Sequence, residues 1–202
     1  MSAFAIRFRG ASVGPIGQPI FRDFDWSVEP LQSWGITGPN GSGKSALAQA
    51  LAGGLLVTSR AASSGQVPTI LPSPDSVALI SFERQRDVFF DERYHDDGEF
   101  VEGGVDPGTS ARAFVLGQER GAPPVVRAVI KQPPLLILDE PCHGLDARHR
   151  QAVLTIANTI GEHSDSTILY VTHDPAERLA CTRQLVDFDA EHGWVLSTVP
   201  SA

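Results

Sequence analysis

The stretch GPNGSGKS, residues 38–45, holds three glycines at positions 38, 41 and 43 and ends in a lysine and a serine. It fits G-x-x-x-x-G-K-[ST] at Gly38, Gly43, Lys44 and Ser45, with Pro39, Asn40, Gly41 and Ser42 between. Glycines at this spacing let the backbone wrap closely, so that successive N–H groups and the start of a helix face an anion. Lys44 then reaches the β and γ phosphates of a nucleotide, and the Ser45 hydroxyl ligates Mg²⁺. A flexible glycine loop with a surface lysine would carry the same letters. The flanks decide against it: SWGIT (33–37) before the loop is a short apolar run. KSALAQALAGG after it sets Ala46, Leu47, Ala50 and Leu51 on one helical face, stopped by Gly53 and Gly54.

Further along, PLLILDE (134–140) is an unbroken aliphatic run that ends in two carboxylates. Such a run suits a parallel strand buried on both faces. It places Asp139 near a metal shell and Glu140 one residue beyond, where it could orient or deprotonate an attacking water. VTHDP sets His173 just past another strand, where its ring can face a γ phosphate. Alone, each of these has a bland reading: charged residues closing a strand, or a structural histidine. Together with the loop at 38–45 they read as one site.

Bulk properties frame the rest. The chain has 202 residues, 42% of them hydrophobic, enough for one core without external staples. Net charge is −8, which argues against a sequence-independent grip on a nucleic-acid backbone, so no direct nucleic-acid partner is expected. No run approaches the ~18–20 apolar residues needed to cross a bilayer. Arg7 and Arg9 sit where a secretion signal would stay apolar. Cys142 and Cys181 form no C-x-x-C pair, and a reducing, cytoplasmic setting is the simplest reading. Cys142 beside His143 invites a metal reading, but two adjacent residues do not make the usual multi-ligand site.

The order of elements is that of an α/β protein. AFAIRFR and IFRDFDWSVEP alternate as half-buried strands around a Gly/Pro-rich turn, GASVGPIGQP. Residues 57–76 read as loop with one short strand, VALISF (77–82) as a strand, and the polar segment after it as an excursion from the sheet. Asp146 starts a helix with the stripe Val153, Ile156, Ala157 and Ile160. TILYVTHD is a strand, and Asp174 caps a helix over PAERLAC that begins at Pro175. LVDFDAEHGWVLS closes as a hairpin.

Taken in order, GPNGSGKS, LLILDEP, HGLDA around Asp146 and VTHD resemble the Walker A, Walker B with catalytic glutamate, D-loop and switch histidine of the ATP-binding cassette (ABC) family. The resemblance covers essentially the whole chain. It implies a P-loop NTPase fold: a mainly parallel sheet flanked by helices, an N-terminal antiparallel β portion, and a shortened helical subdomain. One domain over 1–202 is implied, with its core at 1–83 and 134–202 and the shortened insertion at about 84–133. It also implies binding of ATP with Mg²⁺ at Ser45 and Asp139, with Gln85 as the magnesium-sensing glutamine and Glu83 as the alternative. Glu140 is then the general base, and His173 and Gln85 complete the catalytic set. Hydrolysis would occur at the interface with a second ABC ATP-binding domain, of the same or another chain. A membrane transporter subunit is a possible further partner, which would make the protein peripheral to a membrane. A narrower resemblance, carried by ISFERQRDVFFDERYHDDGEF and the following GT, is to molybdenum-transport or photorepair-associated ATP-binding proteins.

The pattern breaks in three places. The signature that would contact a partner's γ phosphate falls on Val115–Glu119, VLGQE, with no serine, and Pro123 and Pro124 interrupt the helix after it. The interval before Asp139 is about two dozen residues short of a full helical subdomain, one to two helices at typical length. Either the segment is deleted or LGQE serves as a divergent signature. The aromatic that stacks on adenine has no counterpart, since ASVGPIG offers only Val13, Pro15 and Ile16. The alternative reading, motivated by the VLGQE interval, is a catalytically impaired nucleotide-binding module or the truncated half of a tandem-cassette protein; a third, a small nucleotide kinase or GTPase-like protein, is opposed by LDEP followed by GLDA and by the missing N-K-x-D box.

Overall fold

The computed structural model describes residues 6–59, 69–81, 133–189 and 193–199. Two sheets form. β1 (Ile6–Val13) pairs antiparallel with β2 (Phe21–Val28) and with β4 (Val57–Ser59), in the order β2-β1-β4. The larger sheet contains β3 (Ser33–Thr37), β5 (Val77–Ser81), β6 (Leu135–Asp139), β7 (Thr167–Val171), β8 (Gln184–Asp189) and β9 (Gly193–Thr198). Its order is β5-β6-β7-β3-β8-β9, parallel throughout except for the antiparallel hairpin β8–β9. Helices α1 (Lys44–Leu51) and α2 (Ala147–His163) complete the core described.

Strands β3, β6 and β7 at the centre of the larger sheet are buried on both faces, and their period of two divides the core. Leu135, Ile137, Leu169 and Val171 join Ile36, Val186 and Phe188 against α1 and the three-stranded sheet. The alternate residues Leu136, Leu138, Ile168 and Tyr170 face Ala157, Leu154 and Ile160 of α2. The smaller sheet contributes an aromatic cluster in which Phe24 meets Phe8, Phe21, Trp26, Phe188 and Trp194 at centroid distances of 5.0–6.2 Å. These contacts are mostly edge-on or tilted, as ring quadrupoles prefer. α1 lies between the two sheets, so its buried Leu47, Ala48, Ala50 and Leu51 are held from both sides.

Four local expectations need correction. β1 continues through residues 10–13, where a turn was expected; Gly10 takes φ +49 and the register shifts beside it, so a bulge carries the strand past the glycine. The helix expected over PAERLAC is a single 3-10 turn, Pro175–Glu177, although Asp174 does accept from the Ala176 N–H at 2.9 Å. On α2, Ile156 is 50% exposed and Leu154 takes its place against the sheet. On α1, Ala46 is only partly buried and Ala48 packs instead. Residues 84–132 of the expected insertion lie outside the described residues.

Candidate functional site

The carboxyl ends of three adjacent strands, β3, β7 and β6, open on one cleft, the usual ligand position in open α/β sheets. It has a volume of about 640 Å³, and Asn40, Gly41, Lys44, Ser45, Asp139 and Glu140 are among its lining residues. Residues 38–43 carry the chain from β3 into α1. Gly38 sits at φ +137, and a Cβ there would lie 2.4 Å from the Phe188 carbonyl oxygen, so only glycine fits. α1 starts at Lys44 with no side-chain cap and no acidic residue in its first turn. Its leading N–H groups are therefore left to a ligand, as anion sites at helix starts require. Within the loop the Ser42 hydroxyl is buried and has no hydrogen-bond partner, a polar group that a phosphate oxygen would satisfy.

Lys44 is buried and donates from Nζ to the carbonyl oxygens of Gly38 and Pro39, both at 2.9 Å. The loop thus holds its own cation at its centre. Ser45 donates to Asp139 Oδ1 at 3.2 Å, which joins the loop to the end of β6. Glu140, one residue on, adopts φ +49, a left-handed conformation uncommon for a non-glycine residue. Its N–H donates to the Val171 carbonyl at 3.0 Å. Glu140 Oε1 lies 3.1 Å from His173 Nδ1, so the structure joins the sequence-predicted acid and histidine directly.

A second layer holds His173 in place. The Thr172 hydroxyl donates to Glu177 Oε2 at 3.0 Å and accepts from the Asp174 N–H at 3.0 Å. Buried Glu177 also meets Arg150 of α2, Nε to Oε1 3.3 Å. Cys142 is buried against the Tyr170 hydroxyl at 3.4 Å, and burial pushes its thiol pKa up. Its neighbour His143 instead lines the cleft.

Burial lowers the pKa of Lys44 from its ordinary value of 10.5, and the nearby carboxylates of Glu140 and Asp139 offset part of that. The sign of the consequence is fixed. Between the lowered folded value and the unfolded one, the unfolded chain binds more protons, so stability rises with pH. Without nucleotide, wild-type protein should gain stability relative to Lys44→Met as the pH is raised toward 10.5. Melting curves of both across the alkaline range check this, and a difference independent of pH would contradict it.

Sequence reasoning missed Ile20 and Gln49, which line the cleft beside the loop. Ile20 is close enough that a Cβ on Gly43 would lie 3.2 Å from its Cγ2. Of the apolar residues considered for the base, Val13 is fully buried in the core and is not available. Pro15 and Ile16 line a separate cleft of about 320 Å³. Gln85, Glu83 and residues 115–119 lie outside the described residues.

A glycine loop between a parallel strand and a helix, facing a strand that ends in two carboxylates, defines a P-loop nucleotide-binding protein. The ABC transporter family model matches residues 21–92. The aliphatic sulfonates import ATP-binding protein SsuB 3 of Nocardia farcinica is 31% identical over 87% of this chain and 73% of its own length. The chain belongs to the ATP-binding cassette ATPases of ABC transporters, whose nucleotide is ATP. The ABC transporter ATP-binding protein ModF of Escherichia coli is 28% identical over 87% of this chain, which spans 42% of ModF. A solved bacterial Atm1-family ABC exporter with ATP bound shares the fold, with a TM-score of 0.54 and 18% identity over 94% of this chain and 37% of the exporter chain. Among the described residues no helix is long and apolar enough to cross a membrane.

Proposed function

We propose that this chain binds Mg-ATP in the cleft at the ends of β3, β6 and β7 and hydrolyses it when paired with a second cassette, powering a membrane transporter subunit. The observation that carries this reading is one cleft lined by Lys44, Ser45, Asp139 and Glu140, in which Ser45 meets Asp139 at 3.2 Å and Glu140 meets His173 at 3.1 Å. Lys44 would leave its carbonyl partners in part to meet the β and γ phosphates, and the N–H groups of residues 40–45 would cradle them. Ser45 and Asp139 offer a hydroxyl and a carboxylate 3.2 Å apart, hard oxygen donors few enough for Mg²⁺ to keep phosphate oxygens and water in its shell. When bound, that ion would neutralise charge on the β and γ phosphates.

Glu140 accepts a proton from a water molecule while the water oxygen bonds to the γ phosphorus. The bond from that phosphorus to the β–γ bridging oxygen breaks, and ADP leaves. His173, held at Glu140 Oε1, orients that carboxylate and can meet the transferred phosphoryl group. By likeness to the family Gln85 takes the magnesium-sensing role, with Glu83, nearer the end of β5, as the alternative. Ile20 offers an apolar contact for the base, 49% exposed and beside the loop.

A second reading, nucleotide binding without turnover by this chain alone, is favoured by the divergent VLGQE at 115–119. Turnover measured alone and after mixing with a cassette that carries an intact signature separates the two. The proposal predicts magnesium-dependent hydrolysis that the added cassette stimulates. Saturable ATP binding with no hydrolysis in either arm would leave the second reading standing and the first refuted.

A further inference from the structure

A second histidine faces the same carboxylate. Glu140–His143 forms a turn closed by the His143 N–H donating to the Glu140 carbonyl at 3.1 Å, with Pro141 inside it. Proline at this turn position presets φ and favours the reversal. Cys142 pins the turn from beneath through its contact with Tyr170. The reversal brings His143 Nδ1 to 3.6 Å from Glu140 Oε2, while His173 Nδ1 holds Oε1 at 3.1 Å. The two rings stand 6.2 Å apart at 58°. His143 also lines the cleft with Lys44, Ser45 and Asp139.

We propose that His143 is a positioning residue for Glu140, its Nδ1 steadying the second carboxylate oxygen from 3.6 Å, just beyond hydrogen-bond distance, while His173 holds the first at 3.1 Å. The inference rests on the reading of Glu140 as general base. A single contact at Oε1 leaves the carboxylate free to swing about that point; a contact at each oxygen sets the direction of its plane. The two rings come from different segments, one from the turn after β6 and one from the end of β7. Neither alone fixes the plane. Misplacement of a reacting group by a fraction of an ångström to an ångström is enough to change a rate by one or two orders of magnitude.

The test compares turnover and ATP affinity for wild type, His143→Ala, His143→Asn and Glu140→Gln. His143→Ala should lower kcat roughly tenfold with ATP affinity unchanged. His143→Asn should recover most of the loss, because an asparagine amide nitrogen falls close to the place of Nδ1. A general contribution to folding would not give that rescue or leave binding untouched. If Glu140→Gln is crippled but His143→Ala turns over like wild type, the proposal is wrong and the base reading stands. Weakened ATP binding in His143→Ala also overturns it, since the ring would then contact nucleotide. Wild type no faster than Glu140→Gln removes the base reading and this inference with it.

Discussion

Replacing Glu140 by glutamine should lower ATP turnover by roughly 10²- to 10⁴-fold, the usual worth of a positioned general base. The amide matches the carboxylate in size and can stay between the two histidines, but it cannot take a proton from water. Nothing in the glycine loop changes, so ATP binding should persist. That combination, bound nucleotide without turnover, separates a lost base from a damaged pocket. Burial at this position is incomplete, with Glu140 23% exposed, so the substitution strands no deeply buried charge. Steady-state hydrolysis in the presence of magnesium and a partner cassette checks the result. A rate equal to that of wild type would assign the proton to another group.

Lys44→Ala should act on the other half of the chemistry and weaken ATP binding directly. Removing one partner of a desolvated, hydrogen-bonded charge pair costs about 2–5 kcal/mol. At 1.4 kcal/mol per factor of ten, that is roughly 30- to 4,000-fold in affinity. The fold should survive, since the ammonium's hydrogen bonds to the Gly38 and Pro39 carbonyls stay within its own loop. Ligand-linked melting shows the difference: at ATP about 100 times its Kd, wild type should gain about 2.7 kcal/mol. The variant should gain far less at the same concentration. An unchanged gain would mean that the phosphates lie elsewhere.

The parts of this site legible in the sequence are those where chemistry and local backbone coincide. Gly38 through Ser45 must be contiguous for a loop to close around an anion. Leu135 to Asp139 announces its burial by five aliphatic or acidic residues in a row, all of them buried. Asp174 and Pro175 mark a chain turn correctly, but helix length depends on packing that begins only later, and one 3-10 turn is all that forms. Ile156 fits the helical stripe by spacing alone, and it stays half exposed because the sheet meets α2 along Leu154, Ala157 and Ile160.

What the sequence hid was produced by contact between distant segments. Ile20 carries no local sign of a binding role; it reaches the cleft because β2 packs across the loop, placing it beside Gly43. Val13 looked available in the same stretch and is instead committed to the core by the unexpected continuation of β1. His143 lay in plain view beside Cys142, where adjacency suggested a shared role. The turn sends the thiol inward to Tyr170 and leaves the imidazole at Glu140. Side-chain direction, not position in the chain, decided that pair.

On this reading the loop from Gly38 to Ser45 holds the triphosphate of ATP. Calorimetric titration of the folded chain with ATP in the presence of magnesium tests it without requiring a partner or turnover. A single saturable site per chain, with its heat lost in Lys44→Ala, is the predicted result. No saturable heat from protein that melts cooperatively, or the same isotherm in the variant, would contradict it.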